Sequence, residues 1–407
     1  MKKIIGSKVS YLLVSLTLFV GLLAGCGGSG NSDGGASNQP GGSGGSGGGE
    51  SIKIGANLEL SGAVASYGQS IAEGIDLAVE EINKGGGIDG KKLEIIKVDN
   101  KSDAAEATNA AIKLTSQDKV SAIIGAATSG DTVAQVQVVT DNHTVLLTPS
   151  GTSPIVTVGQ DGKVNDYVFR TCFIDPFQGN VAANFAAKEL KVTKAAIFAD
   201  SASDYAKGLA VSFKDTFTKA GGSIVSEEAY VAKDTDFRAT LTRIKAANPE
   251  FIFIPGYYEE VGLIIKQARE LGITVPFMGG DGWDSPKLVE LAGAAALNNT
   301  YITNHYSSED PDKTIQTFVT AFKGKYNGKS PDAFNALGYD SVYLLADGIK
   351  RAGSADGAKI KDALAQTKDL ALVSGKITID QQHNPAKTAT VLEYKDGKQV
   401  FKTKVNP

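Results

Sequence analysis

The stretch VSAIIGAATSGDTVAQVQVVTDNHTVLLT, Val120–Thr148, decides the fold. Val120–Gly125 is a short apolar run with the composition of a strand buried on both faces. Gly125-Ala126-Ala127-Thr128-Ser129-Gly130 is small and polar, the chemistry of a turn. Asp131–Asn142 then reads as a helix and Val145–Thr148 as a second apolar strand. A strand, a crossover helix and another strand in about thirty residues make a βαβ unit, which joins parallel strands in a right-handed sense.

Outward from this unit the same alternation continues. On its N-terminal side lie strand Ile52–Leu58, helix Gly68–Asn83, strand Leu93–Val98 and helix Ala104–Ser116. The first of these helices carries Ile71, Ile75, Leu77, Ala78 and Ile82 on its buried side. A second set begins at Ala195–Ala199 and runs through helix Asp204–Ala220, strand Ser223–Tyr230, helix Phe237–Ala247, strand Phe251–Ile254, helix Glu259–Leu271 and strand Val275–Met278. The expected class is α/β with two parallel sheets, and ligands of such sheets bind beyond the carboxyl ends of the strands. The C-terminal third departs from the pattern. Helices Thr314–Tyr326, Ala333–Arg351 and Ala358–Gln366 follow one another, then a hairpin-like pair Lys376–Ile379 and Thr390–Tyr394, and Asp396-Gly397 turns into Gln399–Lys402. Helices given to one lobe and strands to the other make the chain cross between lobes more than once.

The N-terminus fixes a compartment. Lys2, Lys3 and Lys8 precede an apolar run from Tyr11 to Ala24, the layout of a secretory signal over residues 1–25. Leu23-Ala24-Gly25-Cys26 resembles the bacterial lipobox, at which a signal peptidase cuts before a lipidated cysteine. Residues 26–50 form a Gly- and Ser-rich tether with too little apolar surface to fold. Such a coil of about 23 residues reaches roughly 25–30 Å. The expectation is a protein held by lipid on Cys26 at the extracytoplasmic face of the cell membrane.

Composition narrows the rest. The 407-residue chain has a net charge of only −4, with Lys and Arg scattered, which argues against nucleic-acid binding. Residues 51–407 exceed what one core usually accommodates, so two domains are expected. Cys172 is the one cysteine besides Cys26, so no disulfide is expected within the folded body. His143, His305 and His383 are far apart in sequence, and no metal site or cofactor is expected. Gly85-Gly86-Gly87-Ile88-Asp89-Gly90 matches G-x-G-x-x-G, but it follows a helix and precedes a strand, the wrong context for a dinucleotide. No G-x-S-x-G elbow or serine–histidine–acid grouping suggests an enzyme.

Three strand-end loops hold the candidate binding groups. Ser129 sits where a helix begins, with free N–H groups behind it. Thr148-Pro149-Ser150-Gly151-Thr152-Ser153-Pro154 is rigid and hydroxyl-rich, suited to a carboxylate. Gly280-Asp281-Gly282-Trp283 places an acid and the sole tryptophan after a strand, groups suited to an ammonium.

Taken in order, Ser61-Gly62-Ala63-Val64-Ala65-Ser66-Tyr67-Gly68, the Gly85–Gly90 turn, the Ser129 loop, Thr148–Pro154, Pro255-Gly256-Tyr257 and Met278-Gly279-Gly280-Asp281-Gly282 resemble the periplasmic leucine/isoleucine/valine-binding proteins of branched-chain amino-acid ABC importers. The resemblance covers residues 51–407. It implies a type I periplasmic-binding fold of two doubly wound lobes joined by a three-segment hinge, closing on an amino acid and delivering it to a membrane permease. On that pattern the N-terminal lobe is 51–171 with 305–374 and the C-terminal lobe 172–304 with 375–407, in a monomer that is not an enzyme. Ser129, Ser150 and Thr152 would hold the α-carboxylate and part of the amine, Asp281 the amine, and Tyr205 and Tyr257 would cover the ligand. Tyr67 and Phe334 would line the side-chain pocket, and Trp283 would lie at or near the mouth of the cleft. Two departures stand out. Ser102 and Thr128 replace a cysteine pair of some relatives, and Asp281 stands where some have the longer Glu. The same fold also serves binding proteins for urea, amides or aromatic acids, and sensor components.

Overall fold

The computed structural model describes residues 51–406, so the signal segment, Cys26 and the tether expected from the sequence lie outside the described residues. The first lobe is built on β1 (Ile52–Leu58), β2 (Leu93–Asp99), β3 (Ala122–Gly125), β4 (Val145–Thr148) and β5 (Val168–Arg170). They form one parallel sheet in the order β2-β1-β3-β4-β5. Every residue of β3, β4 and β5 is buried, as expected of strands covered by helices on both faces. The covering helices include α1 (Ala65–Lys84), α2 (Ala104–Ile112), α3 (Ser129–Val133) and α4 (Val136–Asp141).

The single helix expected over Asp131–Asn142 is thus two short ones, starting earlier, at Ser129. Thr128 caps the start by accepting a bond from Asp131 N. The break falls at Gln135, whose buried side chain bonds back to Asp131 O and forward to Asn57 Nδ2, 2.8 Å away. The helical ladder gives way to that buried amide pair.

The second lobe comprises α5 (Asp175–Asn184), β6 (Lys194–Asp200), α6 (Asp204–Lys219), β7 (Ser223–Tyr230), α7 (Arg238–Ala246), β8 (Phe251–Phe253), α8 (Tyr258–Glu270), β9 (Phe277–Gly279), α9 (Pro286–Ala292) and β10 (Thr300–Asn304). The chain then returns to the first lobe as α10 (Lys313–Lys325), α11 (Ala333–Ala352) and α12 (Gly357–Ala365). The docking of α11 on α1 is unusually close. A β-carbon on Gly74 would strike Asn335 O and one on Gly338 would strike Ile71 O, so both helices need glycine there.

Short strands β11 (Leu370–Leu372), β12 (Gly375–Ile379) and β13 (Pro385–Ala386) pair only with one another. Finally β14 (Ala389–Lys395) and β15 (Lys398–Val405) complete the second sheet, ordered β15-β14-β10-β9-β8-β6-β7. That sheet is parallel from β7 to β10 and antiparallel at its β14–β15 edge. The Asp396-Gly397 turn is present, with both residues at positive φ as a tight hairpin requires. The hairpin expected between Lys376–Ile379 and Thr390–Tyr394 is not. β12 pairs with β11 and β13, while β14 pairs with β10 and β15.

The chain passes from one lobe to the other three times, after β5, after β10 and after β13. The third crossing is later than the sequence boundary at 374–375. His383 stacks on Phe169 at 4.0 Å and bonds Val168 O, and Asn384 accepts a bond from Thr157, so 375–386 stays with the first lobe. Among the described residues no helix is long and apolar enough to cross a membrane.

Candidate functional site

The carboxyl ends of both sheets face each other across a narrow cleft. Tyr67, Ala127, Thr128, Ser129, Ser150 and Phe334 line it from the first lobe, and Tyr205, Tyr257, Asp281 and Gly282 from the second. Seven side chains singled out in the sequence meet here from seven separate loops and helix starts: Tyr67, Ser129, Ser150, Tyr205, Tyr257, Asp281 and Phe334.

At the ends of β3 and β4 the first-lobe wall is backbone and hydroxyl. Ser129 opens α3, and the first-turn N–H groups of a helix have no partner within it. Its Oγ accepts from Ser153 N at 3.1 Å, and Ser150 Oγ donates to Ala127 O at 2.8 Å, so each hydroxyl ties one loop to the other. Arg170, fully buried at the end of β5, donates to Gly151 O at 2.7 Å and to Ser153 O at 2.9 Å. Those bonds occupy the loop's carbonyls from behind, and Gly151 N is taken by Thr148 Oγ1 at 2.8 Å. Glu59, absent from the sequence reading, holds the other loop. Its two oxygens accept from Ala127 N at 2.9 Å and Thr128 N at 3.0 Å. Burial, and next the charge of Asp131, raises the Glu59 carboxyl to about 8.

The second-lobe wall is made of side chains around Asp281. Its Oδ1 accepts from Tyr205 Oη at 3.0 Å and Gln178 Nε2 at 3.1 Å, and His305 Nε2 lies 2.9 Å from Oδ2. Burial pushes the His305 imidazole below its ordinary value, so Nε2–H of the neutral ring donates to the carboxylate. Behind them Asp175 is raised to about 8, first by burial. Tyr205 and Tyr257 stack face to face at 5.2 Å, and Tyr67 stacks on Phe334 at 4.4 Å. The result is an acid at one end of an aromatic box, facing backbone donors and hydroxyls.

Two residues expected at the site do not line it. Trp283 is fully buried, with its ring against Gly279 and Nε1 donating to Ile254 O at 3.0 Å. It is core beneath the Asp281 loop, because the short helical turn Asp281–Trp283 points its indole back into the sheet. Thr152 is buried too, and its carbonyl accepts from Asp175 N at 3.0 Å. Gln178 lies in α5, a helix that sequence periodicity did not mark, and His305 was visible only as an isolated histidine. Among the described residues no group of three or more His, Cys, Asp or Glu is placed to hold a metal ion.

Two α/β lobes with three crossings and a polar–aromatic cleft between sheet ends define a solute-binding protein. The chain belongs to the periplasmic binding protein family, which it matches over residues 51–399. It is similar to the leucine-, isoleucine-, valine-, threonine- and alanine-binding protein of Pseudomonas aeruginosa, with 32% identity over 77% of this chain and 82% of that protein. A Leu/Ile/Val-binding protein of Rhizobium johnstonii is 33% identical over 80% of this chain and 87% of its own length. Among solved structures, the branched-chain amino acid transporter substrate-binding protein LivJ of Streptococcus pneumoniae, in complex with isoleucine, is 42% identical. It superposes with a TM-score of 0.83 over 88% of this chain and 100% of its own. The leucine-binding protein LivK of Thermotoga maritima is 37% identical, with a TM-score of 0.82 over 88% and 99%.

Proposed function

We propose that this protein is the extracytoplasmic substrate-binding component of an ABC importer for branched-chain amino acids. The observation that carries this reading is the buried Asp281 carboxyl at one end of the aromatic cavity, opposite the donors of the Ser129 and Ser150 loops. A zwitterion removed from water needs both charges paired, since an unpaired buried ion costs several kcal/mol. Asp281 takes the ammonium, the Ser129 and Ser150 loops take the carboxylate, and Tyr67, Tyr205, Tyr257 and Phe334 enclose an apolar side chain. Both charges are paired only when the lobes meet, so ligand shifts the population to the closed form, which a permease then recognises. The names of the relatives support the same substrate class. No bond of the ligand is broken in this role.

In the same reading, residues 1–25 direct export and lipid on Cys26 anchors the chain to the membrane, with residues 27–49 joining the anchor to the binding domain. Cys26→Ser is expected to give a protein that no longer partitions into detergent. For the ligand, calorimetric titration with leucine, isoleucine and valine is expected to show saturable one-site binding. A neighbour of 26% identity from R. palustris is in complex with benzoate, which has a carboxylate and no amine. Benzoate bound in preference to all three amino acids would move this protein to the aromatic-acid branch and leave Asp281 without its proposed partner.

A further inference from the structure

The lobes also meet outside the cavity, at the N-terminus of α11. Asp284, in the second lobe, is held by Asn304 Nδ2 at 2.9 Å from Oδ2 and by Gln399 Nε2 at Oδ1. Its Oδ2 also accepts from Ala333 N of the first lobe at 2.9 Å. Ala333 opens the 20-residue α11, whose first N–H groups form the positive end of a helix dipole. That helix end already carries its own acid. Asp332 caps it by accepting from Asn335 N at 2.9 Å, and accepts from Ser70 Oγ of α1 at 2.7 Å. Two carboxyl groups, one from each lobe, thus share one helix end, and neither lines the ligand cavity.

We infer that Asp284 and Asp332 form a proton-linked latch, in which Asp284 docks on α11 only when the lobes are closed and a proton on Asp332 relieves the repulsion that docking creates. Asp284 is a positioning residue in this scheme, since it acts on lobe closure and not on ligand. Crowding of the Asp332 carboxyl by protein, and next the Asp284 charge, raises it to about 7. Lys329, in the loop before α11, opposes that rise. Glu73 of α1 accepts from Asn335 Nδ2 at 3.0 Å and pairs with Lys329 at 2.6 Å, and Tyr306, Tyr394 and His305 face the acids as groups that burial keeps neutral near pH 7. Opening withdraws Asp284 and removes the part of the Asp332 rise which its charge supplies. The closed form therefore holds the proton more tightly than the open form does. The latch thus favours closure at low pH, and its contribution weakens as pH rises toward about 7 and is constant above that.

The test uses the full chain with isoleucine as probe, a choice that rests on the proposed function. Asp284→Ala is expected to weaken isoleucine binding about tenfold or more, through faster dissociation, because the closed state loses a contact the encounter does not use. Asp284→Asn keeps an acceptor oxygen without the charge, serves where the alanine variant does not fold, and is expected to lose the pH dependence. Wild-type affinity is expected to fall at least about threefold between pH 5.5 and 8, and that of Asp332→Asn less than about twofold. Glu59 and Asp175 titrate alike in both proteins, so the difference isolates Asp332. Wild-type dissociation in both Asp284 variants, or an unchanged pH slope in Asp332→Asn, would overturn the latch. If isoleucine binds no variant, the substrate reading fails and the latch is judged without ligand. Energy transfer between dyes on α2 and α7 is then expected to show a closed fraction that rises as pH falls in the wild type and not in Asp332→Asn. An equal response in the two would overturn it.

Discussion

At the ends of β3 and β4 the first-lobe wall is backbone and hydroxyl, beside the Tyr67–Phe334 stack, whereas the second-lobe wall is a set of side chains gathered round Asp281. The first is braced from behind by groups that bond main-chain atoms, with Arg170 on the carbonyls of Gly151 and Ser153 and Glu59 on the amides of Ala127 and Thr128. The second is braced side chain to side chain, through Tyr205, Gln178 and His305. A wall of backbone donors tolerates loss of any one side chain, since the N–H groups remain. A wall built on one buried charge does not.

The sharpest way to break this contrast is Asp281→Ala. Removing one partner of a buried charge pair leaves the ammonium unpaired, at roughly 2–5 kcal/mol. Calorimetry should show affinity for isoleucine reduced by about thirty-fold or more, with the melting temperature of the ligand-free protein nearly kept. Affinity equal to wild type would take Asp281 out of the site.

Tyr205→Phe comes next. It removes the hydroxyl that donates to Asp281 and accepts from Gly282 N at 3.0 Å, but keeps the stack on Tyr257. A loss of about 1–2 kcal/mol in binding is expected, since the deletion leaves Gly282 N without a partner as well. Ser150→Ala should cost less, about 0.5–1.5 kcal/mol, because its hydroxyl links two loops whose amides stay in place. Side-by-side titration of the two variants sharpens the comparison, and a larger loss in Ser150→Ala than in Tyr205→Phe would reverse it.

The smallest effect on binding is expected from Glu59→Gln. The Glu59 carboxyl, raised from 4.5 to about 8, is neutral at pH 6, and the amide is its near-isostere there. Affinity at pH 6 should change less than about twofold. Stability should respond instead. A carboxyl raised on folding lets the folded state hold a proton that the unfolded chain releases, so the wild type loses stability as pH rises from 4.5 to about 8. Melting curves at pH 5 and 8.5 should show a smaller drop for Glu59→Gln than for the wild type.

Much of this architecture was legible in one chain. The strand at Ile52–Leu58 and the helices at Asp204–Lys219 and Ala333–Ala352 follow from apolar runs and helical periodicity, within a residue or so of the observed ends. The strand-end loops bearing Ser129, Ser150 and Asp281 followed from turn chemistry placed after apolar strands. What periodicity lacked was contrast. β5 has three residues, and α5 has apolar residues with almost no preferred side, so neither stood out, and Gln178 stayed hidden with α5.

The sequence by itself determined that this is a chain of alternating strands and helices with three polar loops at strand ends, because each of those features is local and repeats on the period of its own element. The resemblance to leucine/isoleucine/valine-binding proteins rested on the same ordered loops. Tertiary structure decided which side chains the loops aim inward and what stands behind them. Trp283, two residues from Asp281, turns into the core, while Glu59, Gln178 and His305 reach the site from positions with no local signal. It also decided the strand partners of 375–395, where β12 and β14 sit close in sequence yet in different sheets. The carboxyls of Glu59, Asp175 and Asp332 owe their raised values to neighbours tens or hundreds of residues away, and desolvation is a property of packing that no window of sequence contains.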